Sequence, residues 1–144
     1  MLRLYDYAAS ANCLKVRLLF AQLGLEYERV PVDIFAGEAS TPEFLALNPA
    51  GRTPVLKLET GEALPESNAI VLYLAEGTRF LPFDRLGRAR VLQWLFFEQN
   101  LFEPNVGSAR FWRLTGRAEQ RPDVFRRFLE VGGSALEALE RHLR

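Results

Sequence analysis

The chain has 144 residues, 49% of them hydrophobic, which is enough for one ordinary core or two small ones and too apolar for a disordered segment. Lys plus Arg and Asp plus Glu balance at 18 each, which argues against a general electrostatic binder of nucleic acid or membrane surfaces. A single cysteine excludes an intramolecular disulfide, and one histidine far from it in sequence makes a protein metal site unexpected.

Leu2 to Tyr5 reads as a first strand, and Asn12 to Leu23 as a helix with Leu14, Leu18 and Ala21 on one face and Gly24 as its stop. Ser10-Ala11-Asn12-Cys13 joins the two. So short a passage from strand to helix sets free N–H groups and the positive dipole end at the edge of a sheet, which favours an anion such as a thiolate. A Cys-x-x-Cys here would read as a redox motif. With serine first, the chemistry points to stabilising the thiolate of another molecule.

Tyr27 to Val32 alternates and is rich in β-formers, so it is a second strand. Ile34 to Ser40 reads as a loop. Thr41 caps a short helix with Pro42 at its first position, and Asn48-Pro49-Ala50-Gly51 ends it in a turn. Thr53 to Leu58 is a third strand, and Glu62 to Leu64, after Gly61, pairs with it as a hairpin. Ser67 to Ala75 is helical. The order β-α-β, irregular helix, β-β-α fits a thioredoxin-like α/β layout.

Phe80-Leu81-Pro82-Phe83 reads as a linker, and no strand follows it. Arg85 to about Leu101 is a long apolar helix that Pro104 is expected to kink or end. Pro122 starts a last helix reaching Leu143, with Gly132-Gly133 as a weak point costing about 1 kcal/mol per glycine against alanine. The expected organisation is a domain over 1–77, a linker over 78–84 and an all-α domain over 85–144. Asp6 comes too early for a signal-peptide apolar region, and no apolar run approaches a membrane span, so a cytoplasmic setting is expected.

Three segments stand in register: Ser10-x-Asn12-Cys13-x-Lys15-Val16-Arg17, Asn48-Pro49-x-Gly51-Arg52-Thr53-Pro54-Val55-Leu56, and Pro65-Glu66-Ser67-Asn68-Ala69-Ile70. Together they resemble the soluble glutathione S-transferases, especially bacterial members near the theta and zeta groups, over nearly the whole chain. The resemblance implies glutathione as co-substrate, a small hydrophobic electrophile as second substrate, and a homodimer. It also implies roles at matched positions. Ser10 would donate its hydroxyl to the glutathione sulfur, with Asn12 as a second donor. Read alone, Ser10 is a helix cap and Asn12 a turn residue. Thr53-Pro54 would be a cis bond presenting the Thr53 backbone to the cysteinyl part of glutathione, where sequence alone reads a strand-initiating proline. Ser67 would cap the next helix and bind the γ-glutamyl carboxylate, Glu66 the ammonium group, and Arg52 the glycine carboxylate, against the readings of a plain cap beside an acid and a surface arginine. Cys13 reads as inert core, and His142 as a solvated surface residue.

Phe102, Phe111 and Trp112 are candidates to line the electrophile site, although aromatics at these spacings also read as core. Relatives continue with further helices, so the helical domain is expected to be incomplete and its apolar faces prone to association. Two other readings stay open. One is a non-catalytic binding or dimerisation module. The other is a glutathione-dependent peroxidase or isomerase, although Ala11 and Asn12 stand where the zeta-type isomerases carry a second serine and a cysteine.

Overall fold

The computed structural model describes residues 1–144. The chain divides into two compact units, Met1–Phe83 and Asp84–Arg144.

The first unit is built on a four-stranded sheet of order β2-β1-β3-β4, from β1 (Arg3–Asp6), β2 (Glu28–Pro31), β3 (Val55–Lys57) and β4 (Ala63–Pro65). β1 and β2 are parallel, so the chain must cross over between them, and α1 (Ala11–Leu23) makes that crossover. β3 runs antiparallel to both β1 and β4, with Leu4 opposite Leu56 and Tyr5 opposite Val55. Because side chains alternate along a strand, these pairs face opposite ways. Leu4 and Leu56 share one buried layer with Val16 and Phe20 of α1 and Ile70 of α3 (Ser67–Ala75). On the other face Tyr5 meets Phe44 of α2 (Pro42–Leu47) edge to face, beside Val32 and Val55.

The buried face of α1 differs from the one the sequence predicts. Cys13, Val16, Leu19 and Phe20 are inside, whereas Leu14 and Leu18 are 46% and 52% exposed. This helix is apolar on two faces, and periodicity does not choose between 13-16-20 and 14-18-21. Packing against α3 does. Gly24, at φ 66°, ends the helix as expected.

The second unit is entirely helical. Asp84 caps α4 (Arg85–Phe97) by accepting the Gly87 N–H at 2.7 Å. Pro104 does not stop the chain: Glu98–Gly107 continues helically with wider, π-helical turns and leads into α5 (Ser108–Leu114). In an α-helix a proline ring collides with the carbonyl four residues back and leaves it without a donor. Wider turns relieve the collision with the Asn100 carbonyl, and beside it the Asn105 side-chain amide donates to the Leu101 carbonyl at 2.7 Å. After α6 (Arg117–Gln120), α7 (Pro122–Leu143) runs unbroken through Gly132-Gly133. A Cβ on Gly132 would lie 3.0 Å from Val106 Cγ2, so this glycine lets α7 approach the π-helical stretch closely. His142 is exposed, yet its ring lies against Trp94 with centroids 4.1 Å apart. No helix is long and apolar enough to cross a membrane.

Candidate functional site at two helix N-termini

β1 hands the chain to α1 through Tyr7–Ser10, a turn closed by the Ser10 N–H donating to the Tyr7 carbonyl at 3.0 Å. Ser10 is the N-cap of α1, and its Oγ accepts the Cys13 N–H at 3.3 Å. The capping role is therefore real. It occupies a lone pair of the hydroxyl and not its proton.

Cys13 is fully buried, and burial pushes its thiol above the ordinary value, opposed by hydrogen bonding with the Ser10 and Thr53 side chains and the Tyr7 backbone. At neutral pH it is a protonated core thiol.

The Thr53–Pro54 bond is cis. The loop before it is held by Asn48, which is 4% exposed. Its amide donates to the Arg52 carbonyl at 2.7 Å, and its oxygen accepts the Ala50 N–H at 3.0 Å. Gly51, at φ 61°, places its α-carbon where a Cβ would come 3.0 Å from the Ala39 carbonyl, so only glycine fits without a shift. Thr53 comes just before the paired part of β3, which starts at Val55.

α3 starts differently from the sequence expectation. Glu66 occupies the N-cap, at φ 70° and ψ 111°, and makes no side-chain cap. Ser67, expected as the cap, is the first helical residue. It is buried, and its Oγ donates to Asn12 Oδ1 at 3.3 Å. Lys15 Nζ donates to Asn68 Oδ1 at 2.8 Å. The N-terminal turns of α1 and α3 are thus tied together by side chains of both. Their positive dipole ends and first-turn N–H groups suit an anionic ligand.

The fold links Ser10, Asn12 and Ser67 at the two helix starts, with Glu66 beside Ser67, while Arg52, Thr53 and Pro54 follow one another in the loop that leads into β3. The Arg52 side chain is exposed. Phe102 and Phe111 belong to the second unit and are half-buried. Phe111 has the Arg117 guanidinium over its ring at 5.3 Å. Trp112 is half-buried and packs edge-on against Phe128. An open groove of about 470 Å³ in the first unit, lined by Tyr5, Val32, Phe44, Leu47 and Lys57 among others, includes none of the predicted site residues.

Sequence reasoning missed Asp6. It is completely buried at the end of β1 and paired with Arg17 of α1 and Arg29 of β2. A charged residue inside a strand with two arginines downstream was the available signal.

Residues 9–76 match the family of glutathione S-transferase N-terminal domains. The chain is 37% identical to glutathione S-transferase 3 of Zea mays, over 99% of this chain and 67% of that protein. It is 37% identical to a maleylacetoacetate isomerase of Rhizobium meliloti, over 96% of this chain and 68% of that protein. Its fold is similar to the crystal structure of a possible glutathione S-transferase from Rhodopseudomonas palustris, with a TM-score of 0.94 and 46% identity over 99% of this chain and 65% of that one. The chain thus spans about two thirds of the length of these relatives.

Proposed function

The chain belongs to the glutathione S-transferase family, and from that premise we propose that it binds glutathione at the joined N-termini of α1 and α3 and activates its thiol for attack on small hydrophobic electrophiles. The observation that carries this reading is the placement of Ser10: a hydroxyl on the N-cap of α1, at the helix start that the Ser67–Asn12 hydrogen bond ties to α3.

The residues fit glutathione part by part. The γ-glutamyl carboxylate takes the N-terminus of α3 with Ser67, and the Glu66 carboxylate takes the ammonium group. The Thr53 backbone pairs with the cysteinyl segment as an added strand would. Arg52 is the cation for the glycine carboxylate. Ser10 donates its O–H to the sulfur, with Asn12 as the neighbouring amide. Lowering a thiol pKa by about two units needs roughly 2.7 kcal/mol. A hydrogen bond to a charged group supplies about 1.5–3 kcal/mol, and a helix N-terminus about 0.3–1 kcal/mol. One hydroxyl on a helix end therefore meets the requirement, and the displaced proton leaves to solvent. The thiolate then forms a C–S bond to the electrophilic carbon, either displacing a leaving group that departs with its electron pair or pushing a π pair onto the conjugated acceptor, which takes a proton from water. The working form is a cytoplasmic homodimer.

A second reading, glutathione-dependent isomerisation, uses the same thiolate and is favoured by the likeness to the Rhizobium meliloti isomerase. It regenerates glutathione, whereas conjugation consumes it.

Calorimetric titration of glutathione into this chain, with Ser67→Ala as control, tests the site. We expect binding by the parent chain and loss of about tenfold or more in the variant, since the hydroxyl that donates to Asn12 in the free chain is no longer there to turn to the carboxylate. Ser10→Ala should keep glutathione affinity and lose most conjugating turnover. A folded chain that binds no glutathione would overturn the reading.

A further inference from the structure

We infer that Arg17 is a positioning residue for the site serine, with buried Asp6 as its anchor. This rests on the assignment of Ser10 above. The Tyr7–Ser10 turn connects β1 to α1, and the position of the Ser10 hydroxyl depends on how firmly that turn is held. Arg17 lies on α1 and reaches back with its guanidinium. One nitrogen meets Asp6 Oδ1 at the end of β1, and the other donates to the Ala8 carbonyl, within the turn, at 2.9 Å. A single planar fork therefore ties the strand, the turn and the helix to one another.

Asp6 is 0% exposed. Taking a carboxylate out of water is costly, and a buried ion pair is weak evidence for added stability. The geometry gives this pair a use in placement. Arg29 supplies an internal comparison. It pairs with the other oxygen of Asp6 from β2, and no bond from it to the turn accompanies that pair. Both arginines neutralise the same carboxylate; Arg17 also grips the turn that carries Ser10.

The test compares Arg17→Lys with Arg29→Lys in the full chain. Lysine keeps the charge but cannot reproduce a planar two-pronged contact. Backbone hydrogen exchange is read at the Ser10 amide. We expect exchange there to rise about tenfold or more in Arg17→Lys and to stay near the parent value in Arg29→Lys. In conjugation assays Arg17→Lys should lower kcat by about tenfold with KM for glutathione within about twofold, as for a misplaced reacting group and not a lost binding contact. Arg17→Gln, which keeps a hydrogen-bond donor without the charge, carries the same expectation if the lysine variant does not fold. Unchanged exchange at Ser10, equal loosening in both arginine variants, or a loosened turn with unchanged kcat would each overturn the inference. A parent chain that binds no glutathione sinks the functional assignment alone, and the exchange data still decide whether Arg17 holds the turn.

Discussion

Glu66 adopts φ 70° immediately before a buried serine, in backbone territory that suits glycine and strains other residues by about 1–3 kcal/mol. Such strain persists where the side chain is needed at that point. Glu66→Gly should therefore separate stability from binding. The folded backbone relaxes, while the unfolded chain gains about 0.5–1 kcal/mol of freedom, so thermal midpoints should stay level or rise slightly. Glutathione affinity should fall about tenfold, because the proposed partner of its ammonium group is gone. Calorimetry beside thermal melting checks both, and wild-type affinity in the glycine variant would remove Glu66 from the site. Cys13 makes a second residue-scale prediction, through its raised thiol pKa. The folded state favours the protonated thiol, so this contribution is whole below the unfolded pKa, about 8.5. It is lost as pH climbs through the higher folded value. Stability of the parent chain should thus fall more steeply above about pH 9 than that of Cys13→Ala, a difference that denaturant titrations in alkaline buffers would measure. Identical slopes would mean that burial does not hold the thiol neutral.

At the scale of elements, the two neighbouring glycines of α7 have opposite surroundings. A Cβ on Gly132 would press 3.0 Å from Val106 Cγ2 and 3.5 Å from the Val106 amide nitrogen, whereas one on Gly133 meets nothing within 4 Å. Gly133→Ala should stabilise the chain by about 1 kcal/mol through helix propensity. Gly132→Ala gains the same propensity and must also push α7 off the π-helical stretch, so it should destabilise by about 1–3 kcal/mol, as other overpacked sites do. Chemical denaturation of the pair checks the sign, and equal shifts would place the contact elsewhere. A sequence reading treats these glycines alike, because propensity is local and the neighbour at Val106 is distant along the chain. Pro104 shows the same limit. Proline chemistry forbids a regular α-turn there, but whether the chain breaks or widens depends on what α7 presses against it.

For the whole molecule, legibility follows sequence distance. Ser10 and Cys13 cap one helix start from three residues apart, and Asn48 and Arg52 shape one loop from four apart, so a linear motif already contains both partners. Asp6 meets Arg17 and Arg29 across 11 and 23 residues, after a crossover has closed, and no short motif records that. The choice of buried face on α1 was hidden for the same reason. Charge is the property a sequence states most directly at this scale. The net formal charge is zero, and the isoelectric point is about 6.6. Repulsion between copies is therefore weakest close to neutral pH. The second unit meanwhile exposes Leu129, Leu136 and Leu143 along α7, beside an apolar groove of about 400 Å³ lined by Val106, Phe125 and Phe128 among others. Apolar surface drives contact, and only charge opposes it over distance. Static light scattering against pH at low salt should accordingly show association strongest around pH 6.6 and weakening below about pH 5, where the carboxylates protonate and net positive charge builds up, with the double variant Leu129→Lys, Leu136→Lys lowering the association throughout. Scattering that is flat with pH would show that these leucines are covered in solution, and a peak unchanged by the lysines would assign the association to another face.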